Sequence, residues 1–319
     1  MKISVLGAGR WGSFIAWYLS LMDETVLWGR EDSESIRTFK ETRTNGTVTL
    51  SDRTYVTTDL DRALENDTIV ISISSQSLRS FARELSQRIN TYKRFILCMK
   101  GIEEDSGKRL SEVFRESYKK PYDLAVWVGP GHVEDFVNAI PNCMLIDSEN
   151  SDFKMGLANV LSSSLIRFYY GNDLIGTEVG AASKNVVGIA AGMLDGLGIS
   201  SLKGALMARG AGEISRLIEA MGGDRLSAYG LSHLGDYEAT VFSPHSHNRA
   251  YGEMLVKGER YEKLAEGVAT CRGIMKLSEK YQVELPICSA VYKVLFENAD
   301  PQKTLNSLFS RDIKSEFNG

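Results

Sequence analysis

MKISVLGAGRWG, residues 1–12, decides how the first half of the chain folds. Ile3 to Leu6 is a short apolar run of the kind that makes a buried strand, and the amphipathic stretch Ser13 to Leu21 reads as a helix. Between them, Gly7, Gly9 and Gly12 fall in the spacing G-x-G-x-x-G. Each glycine has its own task in a dinucleotide-binding turn. Gly7 permits the tight passage from strand to helix, Gly9 lets a pyrophosphate approach the backbone, and Gly12 lets the helix pack closely on the strand. The phosphates then meet N–H groups left unpaired at the positive end of the helix. An ordinary βα turn is the plain alternative; the strand before and the helix after favour the dinucleotide.

Outward from this turn the pattern repeats. Strand-like runs lie at 25–27, 54–57 (TYVT), 68–73 (TIVISI), 94–98 (RFILC), 124–128 (LAVWV) and 143–146, with helical segments at 76–89 and 107–118. Such alternation implies parallel strands joined by crossover helices. Near residues 170–174 the character changes, and helical periodicity dominates at 178–194, 202–221, 261–282, 286–298 and 304–310. Thr177, Asp224 and Ser289 suit caps or early turns, and Gly222-Gly223 is a natural helix stop. The expected architecture is α/β: a Rossmann-type doubly wound sheet over 1–172, binding the dinucleotide, then an all-helical substrate and catalytic domain over 173–319.

Composition narrows the function classes. With 319 residues, 43% hydrophobic and 24% charged, the chain is an ordinary globular protein too long for one core. A net charge of −4 argues against nucleic acid as a partner. Cys98, Cys143, Cys271 and Cys288 are scattered, which fits reduced thiols and a cytoplasmic location. The start has no signal-peptide layout, and no stretch approaches the roughly 20 apolar residues of a membrane span. The apolar region 186–197 reads as a buried helix.

The ends of the strands gather the cofactor and substrate candidates. The second strand runs into Trp28-Gly29-Arg30, which puts glycine where a carboxylate would select NAD and an arginine beside it. Arg30 offers a fork to a 2′-phosphate, so NADP is expected, with NAD possible. Glu31 and Asp32 could instead pair with Arg30. Ser74-Ser75-Gln76, Lys100-Gly101 and Gly129-Pro130-Gly131-His132 end successive strands, where ligands of open α/β sheets collect.

These blocks, taken in order, carry a resemblance. GAGRWG at 7–12, WGR at 28–30, SSQ at 74–76, KGIE at 100–103 and GP at 129–130 are followed by GTEVGAASKNVVGIAAGMLDGLG at 176–198. GDYEAT at 235–240, SHNR at 246–249, AEGVAT at 265–270 and ELPI at 284–287 complete the series. The chain resembles bacterial NAD(P)-dependent glycerol-3-phosphate dehydrogenase from residue 1 to about residue 316. The resemblance implies reversible reduction of dihydroxyacetone phosphate to sn-glycerol 3-phosphate for phospholipid synthesis. It makes Lys184 the catalytic proton donor, oriented by Asp236, with Asn185 and Thr240 bonding nearby. Asp236 and Thr240, four apart, would share a helix face. Lys100 would bridge substrate and cofactor, Asn248 would contact the substrate phosphate, and Glu266 the nicotinamide half. Ser246, Gly129 and Gly131 fall on the substrate side. Arg10, Trp11 and Val133 fall on the cofactor side beside the three glycines. Helical domains of this kind often pair, so a homodimer is an expectation.

Two positions depart from the family pattern. His247 stands where an arginine usually binds the phosphate and touches the cofactor, and Gly131 stands where Ser or Thr is common. Histidine has a reference pKa near 6.5 and lacks arginine's permanent, forked charge. Arg249 is no obvious substitute, since two positions further on it faces another way. Both changes lie on the substrate side, so a related dehydrogenase of a different hydroxy acid or sugar phosphate is the alternative. A non-catalytic NADP-binding sensor ranks below both. His245 and His247 with Asp236 could suggest a metal, but two histidines in a polar loop are more often solvated, and no metal is expected.

Overall fold

The computed structural model describes residues 2–313, 315 and 316. The chain forms two compact units: Met1–Met99 with Leu110–Asn172, and Lys100–Arg109 with Asp173–Gly319. The segment 100–109 thus packs with the second unit, although it lies within the 1–172 span of the sequence reading.

The first unit is built on one eight-stranded sheet in the order β3-β2-β1-β4-β5-β6-β7-β8. Its strands are β1 (Ile3–Leu6), β2 (Thr25–Trp28), β3 (Thr54–Thr57), β4 (Thr68–Ile71), β5 (Lys93–Leu97), β6 (Tyr122–Val128), β7 (Asn142–Asp147) and β8 (Ile166–Tyr170). The central strands β1 and β4 are buried along their whole length, as continuous apolar runs in a sheet covered on both faces should be. Helices α1 (Arg10–Ser20), α2 (Glu34–Thr42), α3 (Leu60–Ala63), α4 (Leu78–Arg88), α5 (Leu110–Ser117), α6 (Val133–Val137) and α7 (Ser151–Leu161) connect them. Parallel pairing fails at one place: β7 runs antiparallel to β6. Only the five-residue α6 lies between those strands, and Ala139, at φ 62°, turns the chain back.

The second unit is helical: α8 (Leu174–Gly196), α9 (Lys203–Ala220), α10 (His247–Lys257), α11 (Glu266–Tyr281), α12 (Pro286–Phe296) and α13 (Pro301–Phe309). α8 is buried from Gly176 to Leu194, so it is the axis of this unit, which explains why it is apolar on every side. Its glycines serve the approach of α10. A Cβ on Gly192 would stand 1.9 Å from the Arg249 carbonyl oxygen, and one on Gly252 of α10 would stand 2.1 Å from that of Ile189. α10 is absent from the sequence reading, which took its polar start for a loop. The segment 100–109 is fixed to this unit by Ile102, fully buried in its core, and by the Arg109–Glu178 ion pair at 2.6 Å. Gly273 on α11 leaves room for Ile102, because a Cβ there would lie 2.6 Å from Ile102 Cγ2.

Candidate active site

In the first unit, the three glycines of the turn between β1 and α1 meet different surroundings. Gly7 takes φ +119°, and a Cβ on it would lie 2.0 Å from the Ser72 carbonyl oxygen. A Cβ on Gly12 would lie 1.9 Å from the carbonyl oxygen of Gly7. Gly9, the N-cap of α1, is exposed and extended, and a Cβ there would meet nothing within 4 Å. As a glycine, this N-cap has no side chain of its own to turn onto the helix start. An open backbone surface at the positive start of a helix fits a dinucleotide pyrophosphate.

The side chains around this turn have structural partners of their own. Arg10 pairs with Glu134 of α6, and the Trp11 ring packs 5.0 Å from Phe14. Val133 is buried in the core of the unit. Gly29 is required by packing, since a Cβ would lie 2.9 Å from Ile36 Cβ. Arg30 follows it with a side chain 78% exposed, and its Nε is 3.7 Å from Asp32 Oδ1, a loose surface contact worth little.

Gly129 and Gly131 both have positive φ, +129° and +137°. A Cβ on Gly131 would come within 2.4 Å of the Phe136 ring, which is itself stacked 4.9 Å from Phe14. The missing hydroxyl at 131 therefore goes with a backbone that disfavours any side chain. Gly131→Ser is expected to destabilise the first unit by about 1–3 kcal/mol, read as a lower denaturation midpoint. Unchanged stability together with tighter substrate binding would contradict this.

The second unit brings most of the remaining candidates into one hydrogen-bonded cluster. Asp236 is the hub. Its Oδ2 lies 2.9 Å from Lys184 Nζ and 2.6 Å from Lys100 Nζ. Lys184 also donates to Thr240 Oγ1 at 2.7 Å, and that hydroxyl in turn donates to the Asp236 carbonyl at 2.7 Å. Asn185 Nδ2 donates to the Lys100 carbonyl at 2.9 Å, and Asn248 Nδ2 donates to Asn185 Oδ1 at 3.0 Å. Asn248 Oδ1 accepts from the backbone N–H of Gly267, which ties the neighbour of Glu266 to the set. Asp236 Oδ1 is buried and accepts no hydrogen bond among the described residues. A buried carboxylate oxygen of that kind is costly unless a ligand hydroxyl completes it.

Burial pushes the Lys184 ammonium down to a pKa of about 8; the Asp236 carboxylate pulls it back up and Lys100 adds to the lowering. Lys184 can therefore both give and take a proton near neutral pH.

Other candidates stand apart from the cluster. Ser246 is the N-cap of α10, accepting from the Arg249 N–H, a bond worth about 1 kcal/mol. His247 opens α10 and meets the Tyr261 hydroxyl at 2.6 Å through Nδ1. Arg249 faces elsewhere, bonded to Asp195 at 2.6 Å and Glu253 at 3.0 Å. Sequence reading missed Tyr261, and it missed the buried pair His233–Tyr237 behind Asp236; an i, i+4 spacing was the available signal. Among the described residues no group of three His, Cys, Asp or Glu side chains is arranged to hold a metal ion.

Comparison with known proteins adds to this geometry. Residues 2–154 match the model of the NAD-dependent glycerol-3-phosphate dehydrogenase N-terminus, and residues 173–306 match that of its C-terminus. A glycerol-3-phosphate dehydrogenase [NAD(P)+] of Clostridium botulinum is 36% identical over 99% of both chains. The chain belongs to the NAD-dependent glycerol-3-phosphate dehydrogenase family. A Fusobacterium nucleatum glycerol-3-phosphate dehydrogenase [NAD(P)+] is 34% identical, again over 99% of both chains. The crystal structure of a glycerol-3-phosphate dehydrogenase from Coxiella burnetii superposes with a TM-score of 0.90 at 28% identity, covering 97% of this chain and 99% of the other. As a member of the glycerol-3-phosphate dehydrogenase family, the chain is an oxidoreductase. Among its described residues, no helix is long and apolar enough to cross a membrane.

Proposed function

We propose that this chain reduces dihydroxyacetone phosphate to sn-glycerol 3-phosphate with NAD(P)H, feeding glycerophospholipid synthesis. The observation that carries the reading is the buried Lys184, held between Asp236 and Thr240 with its pKa brought to about 8. The bound nicotinamide supplies the hydride. Lys184 Nζ donates the proton that the C2 oxygen requires as negative charge develops on it. The carboxylate of Asp236 keeps the ammonium in place, and its open Oδ1 accepts from the substrate's terminal hydroxyl. Lys100, on the same carboxylate, adds positive charge beside the developing oxyanion. Asn248 and His247 at the start of α10 take the phosphate end, where helix N–H groups favour an anion. Binding of the remote phosphate then orients the carbonyl.

The test is loss of NADPH absorbance with dihydroxyacetone phosphate as substrate. Turnover is expected; turnover only with a carboxylate-bearing ketone or another sugar phosphate would overturn the substrate assignment.

NADP preference is part of the proposal and rests on the exposed Arg30. Arg30→Ala is expected to raise KM for NADPH about tenfold and leave KM for NADH nearly unchanged, because only the former carries the 2′-phosphate. Equal effects on the two cofactors would exclude the role. A cytoplasmic location and a homodimer complete the reading. The free cysteines are in keeping with the first, and sedimentation tests the second.

A further inference from the structure

Behind Asp236 lies a polar pair that the cluster described above does not use. His233 and Tyr237 are both fully buried. His233 Nδ1 is 2.8 Å from the carbonyl oxygen of Gly180 on α8, and a carbonyl can only accept, so Nδ1 carries the proton. The bare Nε2 then accepts from the Tyr237 hydroxyl at 2.6 Å. Burial keeps the ring neutral, with its pKa lowered to about 4. The backbone closes the same turn, since the Asp236 N–H donates to the His233 carbonyl at 3.0 Å and the Thr240 N–H to that of Tyr237, also at 3.0 Å.

Two glycines outside this turn make room for the pair. A Cβ on Gly180 would stand 3.0 Å from His233 Cβ, and one on Gly210 of α9 would stand 3.0 Å from the Tyr237 hydroxyl. Gly180 lies one helical turn before Lys184, and its carbonyl is the one that an α-helix offers to the Lys184 N–H. His233 therefore joins the turn that carries Asp236 to the turn of α8 that carries Lys184.

We propose that His233 and Tyr237 are positioning residues for the Lys184–Asp236 couple, holding the carboxylate at its distance from the ammonium through the Gly180 carbonyl. This rests on the reading of Lys184 as proton donor. The pair touches no reacting atom; it fixes the distance between two groups that do.

The test uses the full-length protein with NADPH and dihydroxyacetone phosphate. Tyr237→Phe removes one hydroxyl and keeps the ring. It is expected to lower kcat about five- to tenfold with little change in KM for NADPH. The alkaline limb of the kcat profile is expected to move to lower pH, because Asp236, the group that raises the Lys184 pKa, is held less firmly. His233→Gln retains an N–H donor toward Gly180 and should keep more activity than His233→Leu. A purely structural pair would lower stability and leave the limb where it was. Wild-type kcat and pH profile in Tyr237→Phe would overturn the proposal while leaving the reading of Lys184 intact. If Tyr237→Phe does not fold, equal kcat and equal pH profiles in the two His233 variants overturn it instead. A wild-type protein that turns over no dihydroxyacetone phosphate removes the underlying reading, and the proposal with it.

Discussion

Replacing Lys184 by methionine is expected to lower kcat for dihydroxyacetone phosphate reduction by about 10²- to 10⁴-fold, the usual contribution of a positioned general acid. Methionine fills much the same volume, and Lys100 still faces Asp236 at 2.6 Å, so the fold and the affinity for dinucleotide should survive. The wild-type protein supplies the matching pH dependence. Reduction needs the protonated ammonium, so its rate should fall as pH rises through about 8. Oxidation of glycerol 3-phosphate needs the neutral amine, so its rate should rise through the same pH. Full activity in Lys184→Met, or limbs of the same sign in both directions, would exclude Lys184 as the proton donor.

Gly9→Val and Gly12→Val are expected to fail in different ways, and the contrast tests the cofactor site. A side chain at position 9 enters open space on an extended backbone, so stability should hold. The same side chain stands where a pyrophosphate would meet the N–H groups at the start of α1. Losing one or two charge-assisted hydrogen bonds, at about 1.5–3 kcal/mol each, amounts to a tenfold or greater loss of dinucleotide affinity. At position 12 the new Cβ runs into the Gly7 carbonyl, so the turn itself must shift. Fluorescence titration with NADPH and thermal melts separate the two. Tight binding by Gly9→Val would remove the site from this turn.

Much of this was legible in the sequence because it is encoded locally. The glycine turn, the strands through β7 and the long helices announce themselves by spacing and by apolar runs, and Lys184 stands out as a charge in a helix of small residues. What the sequence hid depends on contacts between distant segments. α10 begins with the polar run His247-Asn248-Arg249 and is held by its Ser246 cap and by the glycines of α8, none of which gives it a strong apolar stripe. The reversal of β7 depends on a short connector that sequence alternation cannot distinguish from a crossover. His233 stands before Asp236 without a motif of its own; its meaning comes from Gly180, 53 positions away. The NADP expectation drew on Gly29 as well as Arg30, and the requirement at Gly29 proved to be the packing of Ile36.

The segment 100–109 has a consequence for dissecting this protein. Because it packs with the second unit, the chain passes between the units at 99/100, 109/110 and 172/173. A single cut at residue 172 therefore does not yield two self-sufficient pieces. A fragment from 173 onward lacks Ile102 in its core, the Arg109 partner of Glu178 and the lysine that shares Asp236 with Lys184. The same threading bears on synthesis: these ten residues leave the ribosome before the helices that they pack against, so the core around Ile102 is complete only once both have been made.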